Sequence, residues 1–126
     1  MTSPLSNMLK AGQQLKAGQY LKATNHTYYL VMQGDGNLVL IVGDHWVASN
    51  VIWSTKTQDK GQSPHNLMMQ EDGNLVLRDC YDQITWASNT YFKGAKGHWV
   101  QVQDDGNLVI RDGNQIPTWY SDSYRL

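Results

Sequence analysis

The chain has 126 residues and a formal charge of −1, enough length for a single domain with a buried core. Near-neutral charge without a Lys/Arg run argues against nucleic acid or an acidic membrane surface as partner. Cys80 is the only cysteine, so no internal disulfide is expected and a reducing compartment suits the chain.

The start, MTSPLSNMLKAGQQ, has no apolar leader core, and no stretch is apolar enough to enter a membrane as a spanning helix. The expectation is a chain without a signal peptide, cytoplasmic or released by a non-classical route. The first predicted elements lie in LKAGQQLKAGQYLKA, where LKAGQ recurs after six residues. Leu9, Leu15 and Leu21 are separated by glycine turns, which predicts short strands that begin the first sheet and complete the last. Asn25-His26-Thr27 is a glycosylation sequon, expected to go unused because such triplets are common by chance.

Two short apolar runs then flank Gln33-Gly34-Asp35-Gly36-Asn37, and Asp-Gly between apolar runs is a strong hairpin signal. The pattern returns as QEDGNLVL at residues 70–77 and as QDDGNLVI at 103–110. Trp53, Trp86 and Trp119 follow the three motifs at intervals of 33 residues. The first unit is four residues longer than the others between motif and tryptophan, which predicts a longer hairpin loop holding Trp46. Three such units, with glycine-rich turns and no helical period, predict an all-β fold with internal pseudo-threefold symmetry.

Loop length fixes which side chains share a face. A three-residue loop with Gly36 in the left-handed position opposes Gln33 to Asn37, Met32 to Leu38 and Leu30 to Leu40. One face then holds Leu30, Met32, Leu38 and Leu40; Leu67, Met69, Leu75 and Leu77; or Val100, Val102, Leu108 and Ile110. All twelve are apolar, whereas a two-residue loop would mix the faces. The opposite face carries Gln33, Asn37, Val39 and Ile41, then Gln70, Asn74, Val76 and Arg78, then Gln103, Asn107, Val109 and Arg111. Trp99 falls on that face beside the third cluster. The three repeat tryptophans are expected to meet on the pseudo-axis as core residues. Tyr28, His65 and His98 share one place in the frame, five residues before each motif Gln, and are expected to pack at the strand start.

Local turn preference explains Asp-Gly and Asn, but not a Gln two residues before the Asp in every copy. Gln, Asp and Asn together offer planar donors and acceptors that match vicinal sugar hydroxyls, and the neighbouring Val suits ring carbons. The scattered histidines lack zinc spacing. The Asp-x-Asn segments lack the remaining ligands of a calcium loop, so no metal or cofactor is expected. No nucleophile or phosphate motif appears, and Asp35, Asp72 and Asp105 are distributed one per unit rather than paired across a cleft. An enzyme is not expected.

The thrice-written Gln-x-Asp-x-Asn-x-Val, the opening NMLKAGQQLKAGQYL and the repeat ending ITWASNT at 84–90 together resemble the monocot, or bulb-type, mannose-binding lectins along nearly the whole chain. The resemblance implies one bulb-type lectin domain over residues 1–126, with motifs at 33–41, 70–78 and 103–111. It implies a β-prism II fold of three four-stranded antiparallel sheets, with a mannose site on each. By position, Asp35 and Asn37 would take the 2-hydroxyl of mannose, Gln33 the 3-hydroxyl, and Val39 the ring carbons. Gln70, Asp72, Asn74 and Val76 would repeat these roles, as would Gln103, Asp105, Asn107 and Val109. The family's closing Tyr, partner of the 4-hydroxyl, is replaced by Ile41, Arg78 and Arg111. Ile41 donates no hydrogen bond, and arginine is longer, charged and differently shaped. Mannose-type glycans bound weakly at up to three sites are therefore the expected partner. A homodimer through the C-terminal strand is a further expectation. The alternative is an interaction or defence scaffold of the same fold that has lost sugar binding.

Overall fold

The computed structural model describes residues 6–125. The N-terminal residues 1–5 and Leu126, the end of the tail expected to exchange, lie outside them. The strands are β1 (Met8–Lys10), β2 (Gln14–Lys16), β3 (Tyr20–Lys22), β4 (Tyr28–Met32), β5 (Leu38–Val42), β6 (Val51–Ser54), β7 (Asn66–Met69), β8 (Leu75–Arg78), β9 (Ile84–Ala87), β10 (Trp99–Val102), β11 (Leu108–Arg111) and β12 (Pro117–Tyr120). They form three four-stranded antiparallel sheets in the orders β3-β4-β5-β6, β2-β7-β8-β9 and β1-β10-β11-β12. This is the expected three-sheet prism.

The hairpin register follows the three-residue loop. Leu30 pairs with Leu40 and Met32 with Leu38; Leu67 pairs with Leu77 and Met69 with Leu75; Val100 pairs with Ile110 and Val102 with Leu108. All twelve are fully buried, so one face of every sheet closes the common core. Each such side chain contributes about 1.5–3 kcal/mol by leaving water. Gly36, Gly73 and Gly106 have φ of 92°, 89° and 89°, a region that L side chains avoid. Trp53, Trp86 and Trp119 meet edge to face with centroids 5.6–5.8 Å apart, against the same core.

The N-terminal segment departs from expectation. Its three short strands do not gather in the first and last sheets; each becomes an edge strand of a different one. Leu9 pairs with Val100, Leu15 with Leu67 and Leu21 with Leu30. The reason lies in the K-A-G-Q turns. Gly12 and Gly18 take φ of 88° and 87°, and the side-chain oxygens of Gln13 and Gln19 accept from the N–H groups of Lys10 and Lys16 at 2.8 and 2.7 Å. Each turn therefore redirects the chain after one three-residue strand, which delivers one buried leucine to each sheet.

The extra length of the first unit is a loop between β5 and β6 that contains a 3-10 turn, Ala48–Asn50. A register shift follows Leu40, Leu77 and Ile110, so every sheet bulges beside the position where Ile41, Arg78 or Arg111 stands. Bulges commonly re-aim side chains next to binding sites.

Candidate functional site

The three motifs occupy the β4–β5, β7–β8 and β10–β11 turns, and their backbone geometry repeats. In the first, the N–H of Gln33 donates to the Asn37 carbonyl at 3.0 Å and that of Gly36 to the Gln33 carbonyl at 3.2 Å. Asp35 Oδ1 accepts the Asn37 N–H at 3.0 Å, an Asx turn. Asn37 Oδ1 accepts from the Thr57 N–H at 3.1 Å and the Thr55 hydroxyl at 3.2 Å. In the second unit Asp72 holds the Asn74 N–H, while Asn74 Oδ1 accepts from Ser88 and Thr90. Asp105, Asn107, Ser121 and Ser123 do the same in the third. Each asparagine carbonyl is thus committed to the protein, which leaves its NH₂ group as a donor and the Asp Oδ2 as an acceptor, both without a partner among the described residues. That is an adjacent donor and acceptor, held in place three times.

The turns are roofed by rings from neighbouring units. A Cβ on Gly36 would lie 2.7 Å from the His65 ring, one on Gly73 2.6 Å from His98, and one on Gly106 2.8 Å from Tyr28. Glycine is required here by both φ and space. His65 and His98 are buried, and each lies with Nε2 against a backbone carbonyl, Lys60 or Lys93. Nε2 therefore donates, and Nδ1 is buried with no partner among the described residues. The expected packing role of this trio is what the geometry displays.

The sites diverge at the last motif position. In the amide orientation that satisfies both ends, Gln70 accepts from Arg78 at 3.1 and 3.2 Å and donates to Asp72 Oδ1 at 3.1 Å. Gln103 likewise accepts from Arg111 at 3.1 Å and donates to Asp105 Oδ1 at 3.2 Å. Arg111 also donates to the Gln115 carbonyl at 3.1 Å. Trp99 is the cross-strand partner of Arg111, as its place beside the third cluster predicted. In the first unit no charge occupies the corresponding place: Ile41 is 1 % exposed and Val39 2 %. A groove of about 310 Å³ has Gln33, Asn37, Val39, Ile41, Trp46 and Val47 among its walls. The motif valines expected on a displayed face are all buried, at 3 % exposure or less. They can offer a sugar only a narrow apolar edge.

Further residues at the sites escaped the sequence reading. The N–H groups of Asp59, Phe92 and Arg125 donate to the carbonyls of Asp35, Asp72 and Asp105. One anionic, one aromatic and one cationic side chain therefore border the three turns, and Phe92 is 83 % exposed. Their spacing of 33 residues, shared with the tryptophans, was the available signal. Asp79 and Asp112 are buried and brace the loops of the second and third sheets. Burial pushes Asp79 upward, yet the N–H groups of Gln83, Gln62 and Tyr81 outweigh it, helped by His65, and hold its carboxyl below the usual range. Asp112 is held low by the N–H groups of Ala95 and Ile116 against burial, then by Asn114 and His98. Thr24 and Asn25 hold Asp104 low in the same way. Asn25 Nδ2, the atom a glycan would join, donates to the Asp104 carbonyl at 2.9 Å. Among the described residues no cluster of His, Cys, Asp and Glu could hold a metal.

Solved structures share this architecture. A monomeric monocot mannose-binding lectin from Gastrodia elata superposes with a TM-score of 0.81 at 34 % identity, over 94 % of this chain and 98 % of its own. The mannose-specific agglutinin of snowdrop (Galanthus nivalis) bulbs, in complex with methyl-α-D-mannoside, gives 0.74 at 31 % identity over 95 % and 99 %. A lectin from Marasmius oreades gives 0.82 over 96 % and 97 %, at 23 % identity, a likeness of fold alone. No family model and no curated protein sequence matches the chain.

Proposed function

The chain belongs to the monocot, or bulb-type, mannose-binding lectin family, and from that premise we propose that it is a non-enzymatic lectin recognising mannose-type glycans through up to three weak sites. The observation that carries this reading is the repeated pairing of an Asp carboxylate and an Asn amide, each with one polar atom that has no partner among the described residues. Both groups are pinned by backbone and hydroxyl partners in every unit. A vicinal diol, in which each hydroxyl both donates and accepts, fits such a pair. Gln33, Gln70 and Gln103 would add the next hydroxyl contact. For Gln70 and Gln103, a sugar must compete with the arginine that already uses the amide oxygen.

The motif valines are buried and offer a sugar little apolar area, so each site alone binds weakly and several must engage one branched glycan for useful avidity. Residues 1–126 act as one domain in this reading. A homodimer by exchange of the C-terminal strand would require β12 to leave β11, with which it pairs in its own chain, and sedimentation would detect it. The test of the main reading is retention on immobilised mannose with release by free mannose. Failure to be retained favours the scaffold alternative.

A further inference from the structure

The outer face of the first sheet has a second concavity. It holds about 390 Å³ and is lined by Tyr20, Lys22, Tyr29, Asp44 and Trp46. Trp46 stands edge-on to Tyr20 and Tyr29, with centroids 5.1 and 5.3 Å away. The Tyr29 hydroxyl donates to Asp44 Oδ1 at 2.8 Å, which leaves Oδ2 as an acceptor without a partner among the described residues. The Lys22 ammonium lies 5.6 Å from the Tyr29 ring centroid. Aromatic walls, a fixed carboxylate and a flexible ammonium donor form a set that suits a pyranose, with its apolar ring edge and its hydroxyls.

Trp46 also lines the groove over Gln33 and Asn37, so the two concavities share one wall. The aromatic cleft arises from the extended β5–β6 loop, which supplies both Asp44 and Trp46. The second and third units are four residues shorter there.

We propose that this cleft is a second carbohydrate subsite, which makes the first sheet a site for a disaccharide or longer glycan while the motif takes the terminal residue. The inference rests on the lectin reading of the motif. It assigns Asp44 and Lys22 to hydroxyls of the second sugar, and Trp46 to the ridge between the two rings.

Calorimetry on the native protein with methyl α-mannoside and with α1,2-, α1,3- and α1,6-linked mannobiose tests both levels separately. At least one disaccharide should bind about three- to tenfold more tightly than the monosaccharide, the gain of a modest stacking or polar contact. Asp44→Ala and Trp46→Ala should remove that advantage, with their folding checked by melting. In the native protein, the Trp46 indole N–H resonance, identified by its loss in Trp46→Phe, should shift more with the disaccharide than with the monosaccharide. Equal affinity for mono- and disaccharide leaves the lectin reading standing and overturns the subsite. An advantage that survives both substitutions, or a Trp46 resonance that stays still, also overturns it. Absence of binding by either sugar removes both readings.

Discussion

The first sheet and its two counterparts share a frame on the inside and diverge on the outside. Across the last motif position, the first sheet lines up Lys22, Tyr29, Ile41 and Val51; the second Lys16, Asn66, Arg78 and Ile84; the third Lys10, Trp99, Arg111 and Pro117. In the first row Tyr29 and Ile41 belong to a second apolar cluster with Tyr20, Val31 and Val39, against which Val51 packs, while the other two rows place a guanidinium on the motif Gln. The inner face serves all three sheets at once, so a change there disturbs a shared core. The outer faces have no such common duty, and each can be altered alone.

The largest effect expected from this comparison is one of equality. Leu38→Ala, Leu75→Ala and Leu108→Ala should each cost about 2–5 kcal/mol in denaturant unfolding, because each empties the same fully buried place. A first-sheet variant of unchanged stability would break the shared frame. Next comes an asymmetry. Ile41→Tyr restores the family's residue, but at a position 1 % exposed and walled by the long loop. Overpacking should cost about 1–3 kcal/mol without improving mannoside affinity, as paired unfolding and titration would reveal.

Smaller again is the gain from Arg78→Tyr or Arg111→Tyr. Releasing the Gln amide and adding a phenol donor should tighten methyl α-mannoside by a few-fold to about tenfold, the worth of one net hydrogen bond. Calorimetry that finds the native protein already as tight would show that the arginine does not compete. The smallest expected effect concerns acid. Asp79 and Asp112 have depressed folded-state values, so their stabilisation is present above the unfolded carboxylate value of about 4 and disappears as pH falls through the lower folded value. The melting temperature of the native protein should fall more steeply below about pH 4 than that of Asp79→Asn/Asp112→Asn. Parallel acid limbs would remove these two carboxylates from the account.

The inner face was legible because a period of two and a glycine of fixed position leave one register that buries twelve apolar side chains. The motif residues were legible because they recur. What the sequence concealed depends on chain direction between repeats. LKAGQ announced short strands and turns, but not that each turn would change sheets. Arg78 could be placed opposite Asn66, but its reach back to Gln70 depends on a rotamer and a bulge. The long loop was visible as four extra residues, yet its fold over Ile41 depends on Trp46 finding Tyr20 and Tyr29, partners far apart in the chain. Asp79 and Asp112 recur only twice, and their backbone donors carry no side-chain signature.

The three N-terminal strands also impose an order on assembly. Leu21 meets Leu30 soon after it is made, Leu15 must wait for Leu67, and Leu9 for Val100. Ring-closure entropy grows with the separation, and distant pairings slow folding. No repeat cut out as a peptide would contain a whole sheet in the second or third unit, since the opening strand of each is stored at the head of the chain. During synthesis β1 is made before its partner β10, with β2–β9 between them, so it stays unpaired until residues 99–102 have left the ribosome.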